Sequence, residues 1–292
     1  MRPINGMTQL AGIIGDPLDH TLSPPMHNAA YEAMGLNWVY VPLHVLEERD
    51  LPRVLSAIRA LPFVGVNVTM PYKQAMVGLC DEVAEIALLA GAVNTIQCVD
   101  GRLIGYNTDG RGLLEALSTE AGFDPAGRDV ALVGAGGAAA GALVALALGR
   151  ARRIVVVNRD ESRARFLVER VRERLSSADL VALPFGAEAE EVVRGADLVV
   201  NGTPLGMSPN DPSPVPAAWL RSGQVVADMV YRAQPTSLVC AARDAGAVAL
   251  DGFGMLVCQG ATAIDIWHGD ADVRAPRDVM RAAAAEVLGR ET

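Results

Sequence analysis

Short apolar, β-branched runs alternate along this chain with alanine-rich stretches whose apolar positions recur every three to four residues. The first pattern suits buried strands and the second suits helices that cover them, so the fold class is α/β with parallel sheets. In the first third, strands are predicted over Leu10 to Ile14, Trp38 to Val45 and Val64 to Thr69, with helices starting near Pro24, Glu47 and Pro71. Further strands follow at Thr95 to Val99 and Leu103 to Tyr106, and Asp109 to Leu117 reads as a helix. No fixed-period repeat interrupts this order.

A second series opens with the strand Asp129 to Val133, the glycine-rich segment Gly134-Ala-Gly-Gly-Ala-Ala139 and an apolar helix to about Leu148. Strands at Ile154 to Val157, Asp197 to Val200, Val225 to Val230 and Val248 to Leu250 complete a doubly wound pattern, with an arginine-rich helix and another near Leu238 to Ala245. Met255 to Trp267 and Val279 to Leu288 read as two helices that need an apolar surface to cover, and docking on the first domain provides one. The expected organisation is two domains. An N-terminal α/β substrate domain covers 1–110 and is completed by the C-terminal helices of 255–292, and a Rossmann-type doubly wound dinucleotide-binding domain covers 111–254.

Composition narrows the function. The 292 residues are 51% hydrophobic and carry a formal charge of −9, which argues against a nucleic-acid binder because nothing broad and cationic is present to displace counterions. Cys80, Cys98, Cys240 and Cys258 show no CxxC spacing and do not cluster with histidines, so no zinc site or disulfide framework is suggested and a reducing cytoplasm fits. Residues 1–7 lack a basic segment leading into an apolar signal core, and no apolar run reaches membrane-spanning length. A small-molecule enzyme without membrane or nucleic-acid partners is expected, as a monomer or homodimer.

The glycine-rich segment supplies cofactor chemistry. Gly134 permits a tight turn, Gly136 lets backbone approach a pyrophosphate, and the small Ala139 allows helix to pack on strand, with Gly137 and Ala138 opening the helix whose amino terminus faces phosphate. The next strand ends in Asn158-Arg159-Asp160, where such domains select between a ribose hydroxyl and a 2′-phosphate. Arg159 and Arg163 can hold a phosphate, whereas Asp160 serves equally as a cap for the helix that follows.

Polar groups collect at element ends in the first domain. Gly15-Asp-Pro-Leu-Asp-His-Thr-Leu-Ser-Pro24 sets the Thr21 and Ser23 hydroxyls after a strand, although Ser23 followed by Pro24 also suits a helix start. His20 and His27 read as structural. Gly65-Val-Asn-Val-Thr-Met-Pro-Tyr-Lys73 places Asn67 and Thr69 at a strand end and Lys73 just inside the predicted helix, an unfavourable place for a cation unless it is held for function. Asn94-Thr95 and Asn107-Thr-Asp109-Gly110 add amides and a carboxylate, although Asp109 also suits a helix cap.

Taken together these motifs resemble the shikimate dehydrogenase family, in order and over nearly the whole chain. They are Gly15-Asp-Pro to Ser23-Pro24, Asn67-Val-Thr69-Met-Pro-Tyr-Lys73, Gly91-Ala-Val-Asn94-Thr95, Asn107-Thr-Asp109-Gly110, Gly134 to Ala139, Asn158-Arg159, Asp228-Met-Val-Tyr231 and Gly252-Phe-Gly-Met255-Leu-Val-Cys-Gln259. The resemblance implies NADP-dependent interconversion of 3-dehydroshikimate and shikimate, a step of aromatic amino acid biosynthesis. It makes Lys73 and Asp109 the catalytic pair, with Lys73 shuttling the proton and Asp109 orienting lysine and substrate hydroxyls. It assigns Thr21, Ser23 and Tyr231 to the substrate carboxylate and Thr69, Asn94 and Gln259 to ring hydroxyls. Met229, Gly252 and Met255 would line the nicotinamide side, although core packing suits both methionines.

Two positions depart from the family pattern. Thr21 stands where serine is usual, keeping the hydroxyl and adding a methyl, which bears on quinate as a second substrate. Asp160 stands where NADP-using members carry threonine or serine, placing an anion beside the 2′-phosphate that Arg159 would hold. Two alternatives therefore stay open: an NAD-linked quinate or shikimate dehydrogenase, and a non-catalytic sensor of nucleotide and shikimate-like ligands, against which the retention of both Lys73 and Asp109 speaks.

Overall fold

The computed structural model describes residues 4–175 and 178–290. The chain divides into two compact units, Met1–Thr108 with Val257–Thr292, and Asp109–Leu256.

The first unit is built on a six-stranded sheet of order β2-β1-β3-β5-β6-β4. Its strands are β1 (Gln9–Gly15), β2 (Trp38–His44), β3 (Phe63–Val68), β4 (Glu82–Val83), β5 (Thr95–Val99) and β6 (Arg102–Tyr106). The expected all-parallel arrangement holds for β1 with β2 and β3, but β5 runs antiparallel to both β3 and β6. The reason is local. Only Asp100 and Gly101 separate β5 from β6, both at positive φ, and so short a link joins only antiparallel strands.

One face of this sheet is covered by α2 (Leu51–Ala60), whose Leu51, Leu55 and Ile58 pack with Ile14, Val66, Val68, Ile96 and Leu103. Elsewhere in the unit α1 (Ser23–Ala33) packs on α10 (Arg277–Leu288), while α9 (Gly252–His268) brings Trp267 Nε1 to donate to the Ile96 carbonyl at 2.9 Å. The short α3 (Glu85–Ala90), not foreseen from the sequence, precedes the turn into Asn94.

The helix expected near Pro71 does not form. Residues 70–74 make turns that lead into a single 3-10 turn, Ala75–Gly78. The Tyr72 hydroxyl donates to the Val45 carbonyl at 2.7 Å, and the Lys73 carbonyl accepts the N–H of Val93 at 2.8 Å. These long-range bonds draw the segment onto the sheet and away from an α-helical ladder. Lys73 therefore stands in no helix's first turn, and the unfavourable dipole inferred for it does not exist.

The second unit holds six parallel strands in the order β12-β11-β10-β7-β8-β9. They are β7 (Asp129–Val133), β8 (Arg153–Val157), β9 (Asp179–Leu183), β10 (Leu198–Asn201), β11 (Val225–Asp228) and β12 (Val248–Leu250). Read from β9 through β7 to β12, this is the doubly wound nucleotide-binding order, in which the direction of winding reverses between β7 and β10. The connecting helices are α5 (Gly137–Leu148), α6 (Glu161–Arg172), α7 (Ala187–Gly195) and α8 (Ser237–Asp244), with α4 (Asp109–Ala121) packed on α5. Among the described residues no helix is long and apolar enough to cross a membrane.

Candidate active site

In the first unit the carboxyl ends of β1, β3 and β6 and the start of β5 share one sheet edge, with Ile13 beside Asn67, Asn67 beside Thr95, and Thr95 beside Tyr106. At that edge the apolar strands give way to amides and hydroxyls. The Thr69 N–H donates to the Ile14 carbonyl at 2.8 Å and the Asp16 N–H to the Met70 carbonyl at 3.2 Å, which ties the two loops that carry Thr21, Ser23, Thr69 and Lys73.

Asn94 is the hub. Buried, it accepts the Thr108 N–H at 2.8 Å and the Thr95 hydroxyl at 3.1 Å on Oδ1. Its Nδ2 donates to Thr108 Oγ1 at 3.0 Å and to Gln259 Oε1 at 3.4 Å, so α9 delivers Gln259 to the same group. Its own carbonyl accepts the Val68 N–H at 2.8 Å. Because the preceding residue, Val93, bonds the Lys73 carbonyl, Lys73 and Asn94 are fixed to adjacent peptides. Lys73 itself is half-buried.

Thr21 and Ser23 are placed by a side-chain turn: the Ser23 N–H donates to Thr21 Oγ1 at 3.3 Å. Leu22 is the N-cap of α1 and Ser23 its first residue, so the helix-cap reading of Ser23 is not what is found. His27 is buried, its Nδ1 2.8 Å from the Ser23 carbonyl, and burial lowers its pKa to about 4. A neutral, stacked imidazole in the core is structural, as its sequence context suggested. Asn107 donates to the Ala92 carbonyl at 3.0 Å.

The second unit carries the glycine-rich turn at the winding reversal. Gly134 has φ +110°, a backbone that side-chain-bearing residues rarely adopt, and a Cβ there would lie 2.9 Å from Thr203 Cγ2 and 3.0 Å from the Gly202 carbonyl carbon. A Cβ on Gly202 would lie 2.7 Å from that of Ala139, so α5 sits directly on the end of β10. Gly136 is the N-cap of α5 and has no side chain to satisfy the first-turn N–H groups of Gly137, Ala138 and Ala139. A Cβ built on Gly136 meets nothing within 4 Å. A pyrophosphate fits such a cradle of N–H donors at a helix amino terminus that carries no acidic residue.

At the end of β8, Asn158 Nδ2 donates to the Asp160 carbonyl at 2.8 Å. The Asp160 side chain caps α6, accepting the Ser162 N–H at 3.0 Å and the Ser162 hydroxyl at 2.6 Å. These bonds, with Arg163 nearby, hold its carboxyl below the ordinary aspartate value. Of the two readings open for Asp160 the cap is the one the structure displays. Arg159 and Arg163 are exposed on either side of it, a cationic pair suited to a 2′-phosphate.

Asp228 and Asn201, which the residue pattern did not single out as working groups, organise the remaining loops. Buried Asp228 accepts from Thr236 Oγ1 at 2.6 Å, Asn201 Nδ2 at 2.8 Å and the Val230 N–H at 3.0 Å, while burial raises its pKa. Asn201 also accepts the Thr203 N–H at 3.0 Å, and its carbonyl takes the Met229 N–H. Two polar side chains ending adjacent apolar strands were the available signal. Met229 and Tyr231 are half-buried, Met255 is buried, and Gly252 lies so close to the Met229 carbonyl that a Cβ would collide with it.

Known proteins share this sequence and fold. Residues 13–96 match the family described as shikimate dehydrogenase substrate binding domain, and residues 117–204 match that described as shikimate / quinate 5-dehydrogenase. A protein of Citrifermentans bemidjiense named shikimate dehydrogenase (NADP(+)) is 46% identical over 267 residues, 91% of this chain and 92% of its own. A crystal structure of a shikimate dehydrogenase in complex with NADP+ superposes with TM-score 0.88 at 36% identity, covering 98% of both chains. The shikimate 5-dehydrogenase of Thermus thermophilus, in complex with NADP(H) and shikimate, superposes with TM-score 0.84 at 34% identity over 96% of this chain and 100% of its own.

Proposed function

Because the chain belongs to the shikimate dehydrogenase family, we propose as its activity the NADP-dependent, reversible reduction of 3-dehydroshikimate to shikimate in aromatic amino acid biosynthesis. It is an oxidoreductase acting on a secondary alcohol. The first unit binds the substrate and the second binds NADP, and the enzyme works in the cytoplasm.

The observation that carries this reading is the buried Asn94 hub, which holds Thr108 and Gln259 and is fixed beside the peptide of Lys73. A cluster of neutral hydrogen-bonding groups, tied through its backbone to the segment that carries Lys73, suits a polyhydroxylated ring bearing a reactive ketone. Thr69, Asn94 and Gln259 bind ring hydroxyls, and Thr21, Ser23 and Tyr231 bind the carboxylate. NADPH, when bound, supplies the hydride that the ketone carbon receives.

Lys73 and Asp109 carry the chemistry. Negative charge grows on the ketone oxygen during reduction, and the Lys73 ammonium both stabilises that alkoxide and protonates it, a contribution of roughly 10²- to 10⁴-fold in rate. Asp109 accepts a hydrogen bond from a ring hydroxyl and so fixes the carbon to be reduced. In the second unit Gly134, Gly136, Gly137, Ala138 and Ala139 hold the pyrophosphate, Asn158, Arg159 and Arg163 hold the adenosine end with its 2′-phosphate, and Met229, Gly252 and Met255 face the nicotinamide. The Asp160 carboxylate is committed to the α6 cap, which supports NADP over NAD.

The test is product analysis. Purified protein incubated with shikimate and NADP+ is expected to form 3-dehydroshikimate in step with NADPH, and absence of that product would refute the assignment.

A further inference from the structure

Three adjacent strand ends of the second unit are joined by two buried polar side chains. The register sets Val133 of β7 beside Asn201 of β10, and Asn201 beside Asp228 of β11. Gly134 follows the first of these residues, Gly202 and Thr203 the second, and Met229 and Val230 the third. The first and third of these loops are the ones proposed above to meet the pyrophosphate and the nicotinamide.

Asn201 fixes the middle loop. Its Oδ1 accepts the Thr203 N–H at 3.0 Å and the Thr203 hydroxyl at 2.7 Å, while its Nδ2 donates to the Leu205 carbonyl at 3.1 Å. Thr203 is so placed that its Cγ2 lies 2.9 Å from where a Cβ on Gly134 would stand, which packs this loop on the glycine-rich turn. Asp228 fixes the outer loop. Besides the bond from Asn201 Nδ2 at 2.8 Å, it accepts the Val230 N–H at 3.0 Å and the hydroxyl of Thr236, the N-cap of α8, at 2.6 Å. The Val230 carbonyl accepts the Gly252 N–H at 3.0 Å, and a Cβ on Gly252 would lie 2.3 Å from the Met229 carbonyl oxygen. The peptide between Met229 and Val230 therefore has its N–H on Asp228 and its carbonyl against Gly252. Taking a carboxylate out of water is costly, and donors from three separate segments offset that cost here.

We infer that Asp228, joined to Asn201, is a positioning residue for hydride transfer, holding the Met229–Val230 peptide in fixed register with the glycine-rich turn. The inference deepens the NADP reading above and rests on it. A hydride passes only when the nicotinamide ring stands at contact distance from the ketone carbon, and a displacement of about 1 Å can cost roughly 10²-fold in rate. The adenosine end is assigned to Arg159 and Arg163 at the end of β8, so loss of Asp228 loosens the nicotinamide end alone. Asparagine at this position keeps an Oδ1 for Asn201 and Val230, and Thr236 can rotate its hydroxyl to accept the new amide N–H.

The experiment compares wild type, Asp228→Ala and Asp228→Asn in the reduction of 3-dehydroshikimate. It measures kcat, the isotope effect on kcat with NADPH dideuterated at C4 of the nicotinamide, Kd for adenosine 2′,5′-bisphosphate, and thermal unfolding. Asp228→Ala is expected to lower kcat roughly 10- to 100-fold with an isotope effect no smaller than that of wild type, because the hydride step is the one slowed. Its Kd for the bisphosphate, which lacks the nicotinamide, should stay at the wild-type value, and Asp228→Asn should recover most of the lost kcat. An unmoved kcat, an isotope effect that falls toward one, a matching loss of bisphosphate affinity, or an Asp228→Asn as slow as Asp228→Ala overturns the inference while leaving the NADP reading intact. A wild-type enzyme that does not reduce 3-dehydroshikimate with NADPH overturns both. Should Asp228→Ala fail to accumulate as folded protein, Asn201→Ala, which unties Thr203 and removes one of the three bonds to Asp228, is read against the same kcat, isotope and bisphosphate outcomes.

Discussion

The carbonyl of Lys73 accepts the N–H of Val93 at 2.8 Å, so the peptide of the lysine is fixed by a backbone bond that does not depend on its side chain. Lys73→Ala preserves that bond. The variant is expected to keep wild-type thermal stability and shikimate affinity while losing roughly 10²- to 10⁴-fold in kcat, since the ammonium acts on charge that develops in the transition state. Equilibrium binding of shikimate beside steady-state rates checks this, and near-normal turnover would remove Lys73 from its role.

Gly134→Ala places a Cβ at φ +110° within 3.0 Å of the Gly202 backbone. Strain of this kind costs about 1–3 kcal/mol, and relief by backbone movement would distort the turn proposed to hold the pyrophosphate. Urea unfolding with and without saturating NADP+ is expected to show both a lower midpoint and a smaller gain on adding the nucleotide.

Asp160→Ser keeps a hydroxyl able to cap α6 and removes an anion beside Arg159 and Arg163. The NADP+ KM is expected to fall several-fold with the NAD+ KM unmoved. Equal changes for both cofactors would show that residue 160 does not sense the 2′-phosphate.

His27 ties stability to pH. Its folded pKa is about 4 against 6.5 for a free histidine, so as pH falls below 6.5 the unfolded chain takes up a proton that the folded core refuses. The folded state is therefore fully favoured above pH 6.5 and loses about 3 kcal/mol from this group by pH 4. Urea midpoints followed over that window should fall with acidity, and His27→Gln should flatten the fall. A pH-independent wild-type midpoint would contradict the burial argument.

Much of this architecture was legible because buried strands carry apolar runs: Asp129–Val133, apolar and buried from Val130 onward, has the bounds that its sequence suggests, and so does the less buried Thr95–Val99. The strand Asp179–Leu183 escaped notice because it is an edge strand with a single buried residue, Leu180, and α7 because only Ala189 and Val193 of its acidic sequence are buried. The segment after Pro71 misled because its conformation is set by Val45 and Val93, partners that no local pattern reveals. The proposed site residues are recognisable as motifs, whereas the bonds around them are not: Tyr40, whose hydroxyl donates to Asn67, reads as one more aromatic in a strand, and Thr108 as a spacer before Asp109.

An NADP-linked shikimate dehydrogenase is distinguished from its alternatives by crossing shikimate and quinate with NADP+ and NAD+ in initial-rate assays of reduced nicotinamide formation. The highest kcat/KM is expected for shikimate with NADP+. A higher value for quinate, or for NAD+, would contradict that activity.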